Sequence, residues 1–324
     1  MHGIGILASS ADYGTSSISE SYITLIHPST VLKFTKGFKR MGIHGWLEGW
    51  RFLRRRTSGT VLCLFNAPIL LGALFRRQKG TRYVGVLDWT ESYPSRRRHY
   101  LTPFYDSLYV AAFNRLDDVH SPSAGFRAYY NTLGASIRPC LYPLPRPLPA
   151  HFRIEPSKPV RVLYIGADYR RKSGDLLLTA WKSSNPPNAT LTFVCPSPPA
   201  GDISGVTFRR DIKAGTTEQV CLFEDHDVFI LPTREEPFGF ALLEAINSGM
   251  CTITTSVAGA AQVVLEAGGI VTTTPEDAVS ETLRLVGCHG EICKRRQDCA
   301  NFLPAYERSV RASIDDILNQ EIAY

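Results

Sequence analysis

The strongest constraint in this chain is the alternation of segment types across residues 160–286. VRVLYIG (160–166), LTFVC (191–195), VFIL (228–231) and CTITT (251–255) are short apolar or β-branched runs that read as buried strands. VTFRR (206–210) is a weaker strand and residues 269–271 a short final one. Between them DLLLTAWK (175–182), TEQVCLF (217–223), PFGFALLEAIN (237–247) and DAVSETLRLV (277–286) read as helices. Strands that alternate with helices form a parallel sheet covered on both faces. A proline-rich stretch, YPLPRPLPAHFRIEPSKP (142–159), interrupts regular structure ahead of this pattern and reads as an interdomain linker. Before it, residues 4–8, 61–65 and 83–87 are expected strands and 104–114 an expected helix, compatible with a second α/β domain. The segment from about Tyr306 onward also reads as helical.

Composition narrows the class. The chain has 324 residues, enough for two domains. No apolar run approaches the roughly 20 residues that a membrane helix needs, and the start MHGIGILASSADYG lacks the basic n-region of a signal peptide. Eight cysteines are mostly isolated in apolar segments, as expected of buried thiols in a reducing compartment. Cys288, Cys293 and Cys299 cluster, but gaps of five and six residues do not match a zinc knuckle. The net charge of +6 is split unevenly. Residues 1–150 hold 19 Lys and Arg against 8 Asp and Glu, whereas residues 151–324 hold 17 against 22. One half is therefore expected to face something anionic.

The sharpest chemistry lies in ILPTREEPFGFALLEAINSGM (230–250). A strand ends at Leu231, a loop follows, and a helix is expected from Pro237. Pro237 biases Glu236 towards an extended backbone, with its carboxylate just outside the helix. Phe238, Gly239 and Phe240 then offer backbone amides at the positive helix end, and Gly239 clears space for a ligand. Glu244 lies in an otherwise apolar helical segment, so its carboxylate needs partners. Eight residues separate Glu236 from Glu244, about 12 Å along a helix. That distance suits two ends of an extended ligand better than an acid/base pair on one bond.

This segment resembles the E-x7-E motif of glycosyltransferase family 4, with Glu236 and Glu244 as the two glutamates. The resemblance implies the GT-B fold: two Rossmann-like domains facing each other across a cleft, with a C-terminal helix returning to the first domain. On that reading residues 1–145 bind the acceptor, residues 146–305 bind a nucleotide sugar, and residues 306–324 form the returning helix. It implies that Glu236 contacts donor-sugar hydroxyls and Glu244 the ribose. YIGADYRRKSGDLLLTAW (164–181) resembles the family's strand–Gly-Arg-Leu–loop–Lys-Gly–helix element. Gly166 matches its glycine and Lys172 its diphosphate-binding lysine. Ala167 replaces the usual arginine, and either Arg170 or Arg171 can supply that charge. In SVAGAAQVV (256–264), Gly259 matches a glycine of the family's Gly-Gly-x-x-Glu loop, and Gln262 stands where a glutamate is usual.

In VGVLDWTESYP (84–94), Asp88 stands near a position where the family commonly has histidine. It is a candidate acceptor-binding or catalytic residue, or a strand cap. The glycine-rich loop of the family is matched after the first strand only by Gly14. Residues 33–56, KFTKGFKRMGIHGWLEGWRFLRRR, interleave basic and aromatic side chains, and Arg76, Arg77, Lys79 and residues 96–98 add charge. Such a surface suits an anionic membrane or a lipid-linked acceptor. It would also suit nucleic acid, but no nucleic-acid module is present. The histidines, His27, His44 and His226 among them, are expected to be structural.

The expected activity is sugar transfer from a nucleoside diphosphate to an acceptor hydroxyl, such as a glycan or lipid-linked glycan. Retention at the anomeric carbon is implied by the resemblance. Lys172, Glu236 and Asp88 are the candidate catalytic residues. No cofactor and no metal are expected, since no Asp-x-Asp motif is present. The expected location is cytoplasmic, at the inner face of the membrane. A nucleotide-sugar epimerase and a catalytically silent binding protein of the same fold are the alternatives. A dehydrogenase is disfavoured, because no G-x-G-x-x-G follows a strand.

Overall fold

The computed structural model describes residues 4–9, 31–34, 59–64, 69–70, 73, 80–88, 90, 93, 100–199, 201–210 and 212–319. The chain divides into two compact units, Met1–Pro143 with Arg308–Tyr324, and Leu144–Glu307.

The first unit is built on a six-stranded, all-parallel sheet. Its strands are β1 (Ile4–Ser9), β2 (Val31–Phe34), β3 (Gly59–Leu64), β4 (Thr81–Val86), β5 (Asp118–Ser121) and β6 (Arg138–Pro139), in the order β2-β1-β3-β4-β5-β6. Helix α1 (Thr102–Phe113) connects β4 to β5, and α2 (Ala124–Thr132) connects β5 to β6. Aromatic rings fill the space between helices and sheet: Tyr109, Phe113, Phe126 and Tyr130 pack on Val61 and Tyr83. Strand β5 (DVHS) carries no apolar run, which is why periodicity does not reveal it.

The second unit holds β7 (Val160–Ile165), α3 (Gly174–Ser184), β8 (Ala189–Val194), β9 (Val206–Arg209), α4 (Thr217–Asp225), β10 (Val228–Leu231), α5 (Phe240–Asn247), β11 (Cys251–Thr255), α6 (Ala261–Glu266), β12 (Ile270–Thr272) and α7 (Pro275–Leu285). Its sheet is also fully parallel, in the order β12-β11-β10-β7-β8-β9. Strands β10 and β11 are buried at every position, and so read as continuous apolar or β-branched runs. Edge strand β9 has no buried residue, which accounts for its weaker signal. Strand order reverses between β7 and β10, and the crevice beyond the carboxyl ends of such a pair is where ligands bind in these sheets.

Two element boundaries differ from expectation. The helix expected from Pro237 begins at Phe240. Gly239, at φ +100°, breaks the backbone ahead of it, and residues 236–238 pair with the loop before α6 instead. The helix expected from Tyr306 is α8 (His289–Asn319), which passes through Pro304. Its residues to Glu307 group with the second unit and those from Arg308 with the first. In the first unit Val310, Ile314 and Ile317 are buried, and the Ile317 carbonyl accepts a hydrogen bond from buried Arg82. The Ser313 hydroxyl accepts from the Leu141 amide. No helix among the described residues is long and apolar enough to cross a membrane.

Candidate active site

Three loops meet at the carboxyl ends of β7, β10 and β11. The first, residues 166–173, turns tightly: the Asp168 carbonyl accepts from Lys172 N, and its carboxylate accepts from Arg171 N. Tyr164, stacked on Phe193 at 4.3 Å between ring centroids, lies beneath this loop. A Cβ on Gly166 would come within 2.4 Å of the Tyr164 hydroxyl, and one on Gly174 within 2.7 Å of Phe193 Cζ. Both glycines therefore let the backbone close over these rings, and for Gly166 this is a packing role that the sequence did not reveal.

The second loop, residues 232–239, is tied to the first. Arg234 N donates to the Arg171 carbonyl at 2.9 Å, and the Arg171 guanidinium donates to the Glu235 carbonyl. The third loop closes on the second through Gly259 N to Glu236 O at 3.1 Å and Ala260 N to Phe238 O at 2.8 Å. A Cβ on Gly259 would sit 2.0 Å from the Pro237 carbonyl oxygen, so only glycine fits there.

This framework places Glu236 Oε2 3.0 Å from Lys172 Nζ and 3.7 Å from Arg171 Nη1. The Glu236 side chain is only 11% exposed. Oε2 nonetheless has no hydrogen bond of good geometry. The contact is thus a charge pairing, and it leaves the oxygen's directional capacity unused. Arg171 is shared with the Asp168 carboxylate at 3.4 Å, so the two cations and two carboxylates at this end of the crevice balance in charge.

Glu244, on α5, is buried and accepts a hydrogen bond from Gln219 Nε2 at 3.1 Å. Burial pushes its carboxyl up to about 7, opposed by Arg146, Lys172 and the Gln219 amide. Gln219 is itself fixed by Gly215 N. Sequence reasoning missed Gln219, because it belongs to a different helix with no spacing relation to Glu244. It also missed Arg234, which pairs with Asp175 at 3.3 Å and donates to the Arg170 carbonyl.

Of the two arginines left open by the sequence, Arg171 faces Glu236, while Arg170 has an exposed side chain. Phe238 is buried and packs near Phe240, with 5.6 Å between centroids, so these rings belong to the loop's own packing. Gln262 is exposed and bonds Glu266 on its own helix. Asp88 lies in the first unit, just beyond β4, buried and accepting from the Tyr142 hydroxyl at 3.0 Å. His226 is held by Leu222 O and Thr192 Oγ1, a structural arrangement, and burial lowers its pKa.

The three clustered cysteines turn to different neighbours. Cys288 meets Arg284, Cys293 meets Glu155, and Cys299 meets the Ile246 carbonyl. Among the described residues no group of three His, Cys, Asp or Glu could hold a metal ion. Gly14, His27, His44, Arg76, Arg77, Lys79 and residues 96–98 lie outside the described residues. So does the 33–56 stretch, apart from the end of β2.

Residues 159–287, which contain all three loops, match the family model described as glycosyl transferases group 1. The match lies within the second unit and covers less than half of the chain. No curated protein matches it by sequence. Solved structures share its fold along nearly the whole length. Sucrose-phosphate synthase from Thermosynechococcus elongatus has a TM-score of 0.73 at 16% identity, covering 98% of each chain. WaaG, a glycosyltransferase involved in lipopolysaccharide biosynthesis, has a TM-score of 0.65 at 16% identity, covering 98% of this chain and 100% of its own. A structure titled trehalose-6-phosphate from E. coli, bound with UDP-2-fluoro glucose, has a TM-score of 0.67 at 11% identity, covering 98% and 99%. The fold is GT-B, with two parallel-sheet, Rossmann-like units.

Proposed function

We propose that this protein is a glycosyltransferase that transfers a sugar from a nucleoside diphosphate to an acceptor hydroxyl with retention of configuration. The observation behind this reading is the pairing of Lys172 and Arg171 with the Glu236 carboxylate at the sheet's reversal point. A bound diphosphate competes for the two cations, and Glu236 is then released towards donor-sugar hydroxyls. Arg171 takes the place of the arginine missing at Ala167. Glu244 binds the ribose, and the amides around Gly239 approach the diphosphate.

In this mechanism the sugar–phosphate bond breaks as the acceptor oxygen attacks from the same face. The acceptor proton passes to the departing phosphate oxygen, and Lys172 and Arg171 stabilise the charge that develops there. No metal is required, because side-chain cations perform that neutralisation. Asp88 is proposed to orient an acceptor hydroxyl, with Tyr142 holding its carboxylate. The acceptor is a glycan or lipid-linked glycan, and the basic 33–56 stretch favours the anionic inner face of a membrane. The neighbour bound with UDP-2-fluoro glucose supports a nucleotide-sugar donor for this fold.

The test is a thermal-shift screen against UDP, GDP, ADP, TDP and CMP, with and without magnesium. One nucleoside diphosphate should stabilise the protein irrespective of magnesium, by about 2.7 kcal/mol at a hundredfold excess over Kd. In transfer assays with the matching sugar donor, Lys172→Ala and Glu236→Ala should lower kcat by about 10²–10³. Wild-type rates in both variants, or no shift with any nucleotide, would sink the assignment.

A further inference from the structure

The proline-rich stretch ahead of β7 is fastened to the body of the second unit. The Arg146 amide donates to Asn247 Oδ1 at 3.0 Å, and the Arg146 guanidinium reaches Ser248 Oγ at 2.7 Å and Glu224 Oε1 at 3.3 Å. Arg153 pairs with buried Asp227 at 2.9 Å, and the Ser157 amide donates to the same carboxylate at 3.1 Å. Between this stretch and the ends of α4 and α5 lies a cavity of about 540 Å³, with Arg296 of α8 also on its wall. Every lining residue belongs to the second unit. Asn247 ends α5 and Gly239 precedes its start, so the cavity and the loops that hold Glu236 lie at opposite ends of that helix.

The wall supplies two kinds of contact. Pro147, Pro149 and Phe152 give a stiff apolar side. The Phe152 ring is seated on the backbone at Gly249, where φ is +70° and a Cβ would come within 2.6 Å of Phe152 Cδ1. The other side is rich in donors. Arg146, Arg153, Arg296 and His151 line it against one carboxylate, Glu224, and Asp227 is shared by Arg153 and Arg296. Among the described residues two donors of this wall have no acceptor: Asn247 Nδ2 and Arg296 Nε, in residues that are each only 1% exposed. The Asn247 amide is not open to reversal, because its oxygen holds the Arg146 amide. Nearby carbonyls do not fill the gap. Those of Glu224 and His226 accept from Arg153, and those of Glu244, Ala245 and Ile246 accept from the turn that ends α5. A buried N–H without an acceptor is unfavourable, and both of these belong to side chains that border an open space.

We propose that this cavity binds a small organic anion, with a phosphate or carboxylate head on Asn247, Arg296 and Arg146 and an apolar body against Phe152 and the two prolines. Acceptor oxygens are what the two unmatched donors lack, and an anionic head suits the surrounding arginines. Arg146 has N–H groups to spare, since its pairing with exposed Glu224 is of the weak, solvated kind. The site is separate from the one that holds Glu236, so it and the proposed transfer activity can fail separately.

The test is titration calorimetry of the full chain with inorganic phosphate, phenyl phosphate and benzoate. Phenyl phosphate or benzoate should bind about tenfold more tightly than inorganic phosphate, because only they reach the apolar wall. The tighter of the two names the head group. Asn247→Asp keeps the oxygen that holds the Arg146 amide and turns the unmatched donor into an acceptor, so it should lower the affinity at least about tenfold. Arg296→Lys keeps a cation for Asp227 and removes Nε, and should weaken binding too. Thermal melts accompany both variants, and Arg296→Lys carries the comparison if Asn247→Asp is destabilised. Lys172→Ala, beyond the other end of α5, should bind as wild type does. Absence of wild-type binding, or wild-type affinity in both cavity variants, would overturn the proposal. So would binding lost in Lys172→Ala and kept in the cavity variants, since the anion would then sit among the loops around Glu236.

Discussion

Glu244 sits among apolar neighbours with one side-chain hydrogen bond, from Gln219, and burial raises its carboxyl from an ordinary 4.5 to about 7. The folded state therefore holds this proton more tightly than the unfolded chain does. The stability it contributes is complete below about pH 4.5 and is lost as pH rises towards about 7. Glu244→Gln removes that loss. Between pH 5 and pH 8 the variant should gain about 2–3 kcal/mol relative to wild type in urea unfolding, while its affinity for nucleoside diphosphate falls. Parallel stability curves for the two proteins would show that Glu244 is not a strained carboxyl. The glutamate was legible in the sequence because a charge inside FALLEAI is conspicuous. Gln219 was not, since its relation to Glu244 exists only once α4 and α5 have packed. The choice between Arg170 and Arg171 likewise needed the turn at Asp168, which sends adjacent side chains in different directions.

At the scale of elements, the framework of the candidate site is a contact between loops. Residues 236–238 pair with residues 258–260 and do not begin the helix, and Gly259 is the point of closest approach. Gly259→Ala places a methyl group against the Pro237 backbone and should cost about 2–3 kcal/mol. Gly290→Ala is the matched control: its Cβ meets nothing within 4 Å, and it lies in helix α8. Calorimetric melting of both variants, with and without nucleotide, separates the two cases. Equal midpoints would deny the loop contact its role. The strands and helices of the second unit were readable because fully buried parallel strands leave long apolar runs. The start of α5 was misread because Pro237 also fits a first helical turn, and only the φ of Gly239 separates the two possibilities. Helix α8 begins well ahead of Tyr306 and accommodates Pro304, a residue that ordinarily interrupts a helix.

At the scale of the molecule, the two units differ in how much of them a sequence reveals. The second is continuous along the chain, whereas the first draws its buried Val310, Ile314 and Ile317 from beyond it. Each such side chain contributes roughly 1.5–3 kcal/mol when fully buried. A chain ending at Glu307 should therefore lose most of the stability of its first unit, since domains are typically stable by only about 5–15 kcal/mol. Limited proteolysis should then digest the region before Pro143 and spare residues 159–287. Equal resistance of both regions would show that the returning segment is dispensable.

The route of α8 also sets an order of events during synthesis. Domains emerging from a ribosome generally fold from the N-terminus onward. Here the first unit stays incomplete until residues 308–319 have been made, after the whole of the second unit. The earlier-made half must wait, with Arg82 lacking the Ile317 carbonyl and its apolar surface uncovered, while the later-made half can already close. In a cell, the nascent first unit is accordingly the part of this protein with the longest exposure to chaperones and proteases.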